Sequence, residues 1–124
     1  MRDYKAELEN RISWIRQVLA DAHCSGIIYG NSGGKDSALV GILCKLACDN
    51  TVGIIMPCAS KRNYGEDADD ANDVALRFAI ETRTVDLTAV RKALLDAISA
   101  QNAQDALSDA AVKNIAPRLR MTTL

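Results

Sequence analysis

Ser25-Gly26-Ile27-Ile28-Tyr29-Gly30-Asn31-Ser32-Gly33-Gly34-Lys35-Asp36-Ser37-Ala38-Leu39-Val40 is the stretch that decides the fold. Its first part, Gly26 to Gly30, is a short apolar run with β-branched and aromatic residues, which predicts a buried strand. From Ser37 to Leu46 the apolar residues follow helical spacing. Ser32-Gly33-Gly34-Lys35-Asp36-Ser37 lies between them. A chain that leaves a strand, turns through glycines and enters a helix presents unpaired N–H groups at the helix start. Those donors and the helix dipole attract anions, phosphates above all. Paired glycines permit unusual φ values and a close approach to the ligand, and Ser32 and Ser37 add hydroxyl donors. Asp36 runs against this trend, because a carboxylate beside a phosphate repels it unless a cation lies between. Mg²⁺ takes one or two carboxylates along with phosphate oxygens and water, so it suits the position. The loop therefore predicts a Mg²⁺–nucleotide site. The plainer alternative, a glycine-rich turn with Asp36 helping to cap the helix, does not account for the strand before it.

Two commoner phosphate loops are excluded. In a Walker A loop Gly-Lys is followed directly by Ser or Thr, whereas Gly34-Lys35 is followed by Asp36, and the position of the first glycine holds Tyr29. The dinucleotide fingerprint Gly-x-Gly-x-x-Gly is also missing.

Working outward, 124 residues suffice for one domain with a modest core, and 48% hydrophobic with 25% charged residues is ordinary for a globular protein. A net charge of −1 gives no general attraction to nucleic acid or acidic membranes. No run of about 20 apolar residues suggests a membrane span. Met1-Arg2-Asp3-Tyr4-Lys5 lacks the apolar core of a signal peptide, so the expected location is cytoplasmic. Cys24, Cys44, Cys48 and Cys58 lack zinc-site spacing. Cys44 and Cys48, one helical turn apart, read as apolar residues of a buried face rather than as a chelate. His23 falls at the end of a predicted helix, where a cation suits the dipole, and is given no catalytic role.

Residues 2–22 predict an amphipathic helix through Tyr4, Leu8, Ile12, Ile15 and Leu19, widened by Trp14 and Val18, expected to pack on the sheet. A second strand runs Thr51 to Met56 and stops at Pro57. Both strands are apolar throughout, the pattern of parallel strands covered on both faces, and strand–helix–strand argues for a βαβ unit. Glu66, Asp67, Asp69, Asp70 and Asp73 read as the acidic start of a helix rather than a metal cluster. Lys61 and Arg62 either approach phosphates or are solvated. The apolar side of that helix is Ala68, Ala71, Val74, Ala75 and Phe78. A third strand is expected over Glu81 to Val85, then a helix over Ala89 to Ile98 with Thr88 as cap. Residues 99–108 fit a loop or a continued helix, and a last helix carries Asn114, Arg118 and Arg120.

Ser32-Gly33-Gly34-Lys35-Asp36-Ser37 resembles the PP-loop, Ser-Gly-Gly-x-Asp-Ser, of the N-type ATP pyrophosphatases, which cleave ATP between the α- and β-phosphates. GMP synthetases, asparagine synthetases, tRNA-modifying enzymes and NAD synthetases share it. Two later stretches look like the ammonia-dependent NAD synthetases among them. One is Met56-Pro57, a polar loop and then Glu66-Asp67-Ala68. The other is Asn114-Ile115 followed by Arg118-Leu119-Arg120-Met121. The resemblance implies an α/β fold, a three-layer doubly wound parallel sheet of the adenine nucleotide alpha hydrolase kind. It implies ATP and Mg²⁺ as cofactors, with ATP on Gly30, Asn31, Ser32, Gly33, Gly34, Lys35, Asp36 and Ser37 and the metal on Asp36. Met56 matches the position against the adenine, where its soft side chain suits a flat ring; packing in the core serves it equally well. Arg118 matches an arginine that helps hold the dinucleotide substrate, and a forked cation suits a phosphate; its plain alternative is a surface charge. Pro117 departs from the family's usual alanine, and proline inside a helix costs about 3 kcal/mol.

The implied reaction is the amidation of nicotinic acid adenine dinucleotide by ammonia, driven by ATP, with pyrophosphate and AMP released. The alternatives are another PP-loop ligase and a catalytically inactive nucleotide-binding or assembly module. Residues 1–124 match the N-terminal part of such a synthetase domain. The family's later Gly-Thr-x-Asn-x-x-Glu motif has no counterpart, so the sheet is expected to be incomplete at its C-terminal side. The expected strand order, 3-2-1, leaves the first strand as an apolar edge, which invites pairing with another chain; the assembly expected is a homodimer.

Overall fold

A computed structural model describes residues 1–58, 66–101 and 107–124. Helix α1 spans Tyr4–Asp21, strand β1 Ile27–Gly30, α2 Lys35–Ala47 and β2 Thr51–Ile55. They are followed by α3 over Glu66–Arg77, β3 over Glu81–Thr84, α4 over Thr88–Gln101 and α5 over Asp109–Thr123. The three strands form a parallel sheet in the order β1-β2-β3, with Tyr29 opposite Gly53 and Gly53 opposite Thr82. This is the expected order, with β1 and β3 at the two edges.

Alternation along the strands sends their side chains to opposite faces. On one face Tyr29 is 5% exposed and packs with Ala75 of α3 and with Ile80. Its ring lies so close to α2 that a Cβ at Gly41 would overlap the phenol. On the other face Ile54, Met56, Cys58 and Leu87 form a second cluster, covered by Ala116 and Leu119 of α5. Helices thus lie on both sides of the sheet. The central strand is buried, and edge strand β1 leaves Ile28 49% exposed.

The first helix departs from expectation. It packs mainly on α2 rather than on the sheet. Ile12, Ile15 and Leu19 are half-buried, whereas Tyr4, Leu8, Trp14 and Val18 remain exposed. The specific tie is polar: Arg16 donates from Nε to the Ala47 carbonyl at 3.1 Å and from Nη2 to the Leu46 carbonyl at 3.1 Å. A guanidinium there satisfies carbonyls that the end of α2 leaves unpaired and complements its dipole. Asp3 caps the start of α1, accepting from the N–H groups of Lys5 and Ala6. At its far end His23 turns through φ 53° and is exposed. At the start of α4 it is Asp86 that accepts the Thr88 N–H, at 2.9 Å. Lys61, Arg62 and residues 102–106 lie outside the described residues, as does the Glu66 side chain.

Candidate active site

Strand β1 ends by turning away from β2, and that divergence creates the site. Asn31 makes the last ladder bond, its N–H donating to the Ile54 carbonyl at 2.8 Å. Its side chain is buried and donates to the Ala71 carbonyl of α3 at 3.0 Å. The next available donor, the Gly33 N–H, turns back to Asn31 Oδ1 at 3.3 Å. Gly33 adopts φ 83°, and a Cβ there would overlap the Asp67 carbonyl. Both constraints require glycine.

Two hydroxyls brace the rest of the turn. Ser37 Oγ accepts from the Ser32 N–H at 3.2 Å, contacts Ser32 Oγ at 3.0 Å and donates to the Gly34 carbonyl at 3.1 Å. Ser32 Oγ accepts the Gly34 N–H at 3.3 Å. Gly34 is the N-cap of α2 and has no side chain to cap it. The first-turn N–H groups of Lys35, Asp36 and Ser37 have no carbonyl within the helix to bond. They form the positive end of its dipole. Lys35 and Asp36 are exposed beside this end.

A cavity of about 450 Å³ opens over the carboxyl ends of β1 and β2, where ligands bind in open α/β sheets. Gly30, Asn31 and Ser32 line its loop end, and Ile54 to Pro57 form the β2 side. Asp67 lines it from α3, and Pro117, Arg120, Met121 and Leu124 from α5. Met56 is buried, and its Cε would lie 3.3 Å from a Cβ at Gly30. It belongs to the second core cluster, which is the packing alternative, and it also lines the cavity.

Of the residues expected in the site, Gly30, Asn31, Ser32 and Met56 line the cavity. Gly33, Gly34, Lys35, Asp36 and Ser37 form the adjoining loop and helix start. Arg118 is exposed and is not among the lining residues. Arg120 is instead the arginine that faces in, donating from Nε to the Met56 carbonyl at 3.0 Å. Helix phase explains the difference between the two arginines. Successive residues are about 100° apart around a helix, so Pro117, Met121 and Leu124 share one stripe. Arg120 borders that stripe, and Arg118 stands about 100° from Pro117. Helix α5 begins at Asp109, with Ser108 Oγ accepting from Ala111, and so Pro117 sits in its interior. Asp67 and Arg120 were not assigned to the site from sequence; the phase of α5 carried the signal for Arg120.

Residues 7–124 match the family model for NAD synthase. The chain belongs to the NAD synthase family. It is 36% identical over 123 residues to an NH3-dependent NAD+ synthetase of Carboxydothermus hydrogenoformans, across 98% of this chain and 49% of that protein. A Finegoldia magna protein of the same name is also 36% identical, across 98% of this chain and 48% of its own. The chain therefore spans about half the length of these relatives. Among solved structures, an NH3-dependent NAD synthetase from Campylobacter jejuni superimposes with a TM-score of 0.78 at 28% identity. It covers 100% of this chain and 51% of that one. Within this NAD synthase fold, no group of three or more His, Cys, Asp or Glu that could hold a metal occurs among the described residues. No helix among them is long and apolar enough to cross a membrane.

Proposed function

We propose that this chain binds Mg·ATP on the loop from Gly30 to Ser37 and serves the ATP-dependent amidation of nicotinic acid adenine dinucleotide by ammonia to NAD. One observation carries the reading. A glycine turn in the left-handed region delivers the uncapped start of α2 to the mouth of a cavity at the strand ends. Phosphates fit the loop end, and the flat base fits the apolar end between Met56 and the stripe of α5.

The donor set suits Mg²⁺ in particular. Asp36, an exposed carboxylate, stands beside the phosphate loop, and Mg²⁺ is commonly held by few carboxylates and completed by phosphate oxygens and water. When bound it would neutralise phosphate charge. The N–H groups at the start of α2 orient the triphosphate and stabilise charge that develops on it. In the proposed reaction the substrate carboxylate attacks the α-phosphate and pyrophosphate leaves. Ammonia then displaces AMP, forming the amide. Arg118, exposed on α5, is assigned to the dinucleotide substrate, and a cytoplasmic homodimer is part of the same reading.

Pyrophosphate release from Mg·ATP tests it, measured with and without the dinucleotide and ammonium and compared with Asp36→Ala. Release that requires the dinucleotide and disappears in the variant supports the synthetase. Since the chain spans about half of its relatives, nucleotide binding without turnover is the second reading. ATP binding with no pyrophosphate release under any condition would favour it.

A further inference from the structure

The cavity exists because β2 continues past the point where β1 leaves. Along β2 the carbonyls alternate in direction. Those of Ile55 and Pro57 accept from Val85 and Leu87, on the β3 side. That of Ile54 accepts from Asn31, on the β1 side. The Met56 carbonyl follows it on the β1 side, but the donor that would continue the ladder, the Gly33 N–H, bonds Asn31 Oδ1 instead. Arg120 takes its place at 3.0 Å, reaching across 64 positions of sequence. A charge-assisted bond to a carbonyl is stronger than the amide bond it replaces. It joins the two sides of the cavity's apolar end: Met56 just past β2, and Pro117, Met121 and Leu124 on α5.

We infer that Arg120 is a positioning residue for the base of the nucleotide. By holding the Met56 carbonyl it fixes the spacing between α5 and the end of β2, and so the width of the slot that takes the purine ring. The inference rests on the nucleotide reading of the cavity given above. It separates the site into two independent parts, a loop that holds phosphates and a slot, set by Arg120, that holds the base.

The test is to titrate the wild type, Arg120→Lys and Arg120→Met with ATP, adenosine and inorganic tripolyphosphate, alongside thermal melts. Tripolyphosphate probes the loop alone. Arg120→Met should weaken ATP and adenosine by about tenfold or more while leaving tripolyphosphate unchanged. Arg120→Lys, which keeps a donor for the carbonyl, should recover part of the loss. An equal loss for tripolyphosphate would overturn the inference, because it would mean a direct phosphate contact or a general loosening of the fold. Unchanged ATP affinity in both variants, with the wild type binding normally, would overturn it while sparing the nucleotide reading. A wild type that binds none of the three ligands would overturn both. If the methionine variant melts below the assay temperature, the ATP-to-tripolyphosphate affinity ratio of Arg120→Lys decides the matter alone.

Discussion

The loop from Asn31 to Ser37 and the α5 wall from Pro117 to Leu124 border one cavity but are held in different ways. Asn31 anchors the loop's start to the Ile54 and Ala71 carbonyls, and beyond it the bonds that shape the loop join residues two to five positions apart: Gly33 to Asn31, Gly34 to Ser32, Ser32 to Ser37. The wall is held across the fold, by Arg120 on the Met56 carbonyl and by Ala116 and Leu119 on the second core cluster. A locally bonded region keeps its shape while the elements that anchor its start stand. A wall held at long range depends on the whole fold, and small changes in packing move it.

The sharpest way to break this contrast is Gly33→Ala. The new Cβ would enter the left-handed region and meet the Asp67 carbonyl. We expect phosphate binding to be lost and stability to fall by about 1–3 kcal/mol, read by tripolyphosphate titration and thermal unfolding. If the variant binds normally, the loop is not the rigid part. Pro117→Ala should act in the opposite direction on the wall. It restores a donor for the Lys113 carbonyl inside α5 and should raise stability by up to about 3 kcal/mol. Tripolyphosphate affinity should stay fixed, and a change in it would show that wall and loop are coupled. Next comes Ser37→Ala, which removes the hydroxyl shared by Ser32 and Gly34 and should cost about 1 kcal/mol. Its distinguishing result is weaker phosphate binding with adenosine affinity unchanged.

Two smaller effects lie away from both regions and serve as controls. Tyr29 Oη is buried with no hydrogen-bond partner among the described residues, so Tyr29→Phe should stabilise the chain by about 1 kcal/mol and leave ligand binding alone. Burial, and secondarily the neighbouring Cys48, push the Cys44 thiol up. Its neutral form is thus favoured by folding. That stability is complete below the ordinary thiol value of about 8.5 and is lost as pH rises through the higher folded value. Melting temperature should fall on the alkaline side, and Cys44→Ala should flatten the slope. Tyr29 is shifted the same way, by burial first and Cys44 second, and continues the decline at higher pH.

Much of the fold was legible because its signals are local. Apolar runs bounded by Gly, Asn and Pro marked the first two strands, and the glycine turn between strand and helix marked the loop end of the cavity. The destination of α1 was not legible. An apolar stripe says that something covers it, and Arg16, whose two bonds reach the end of α2, is the residue that specifies where. Arg118 and Arg120 look alike in sequence. What distinguishes them is the phase of α5, which sets Arg120 beside the stripe of Pro117, Met121 and Leu124 and turns Arg118 away from it. Cys44 was correctly read as a buried helix-face residue, since a small apolar side chain on an amphipathic helix needs no partner to be placed. Cys48, on the flank of the same turn, is only half-buried.

Asn31 has a kinetic consequence. Its backbone is pinned to β2 and its amide to the middle of α3, so the loop opens only when one of those elements gives way. Such openings are rare compared with the fraying of a surface turn. If the loop takes phosphates as proposed, it is therefore in its receptive shape before any ligand arrives, and little ordering cost is left for binding. Association should then be a single step whose observed rate grows in proportion to ligand concentration, with no plateau from a slow rearrangement.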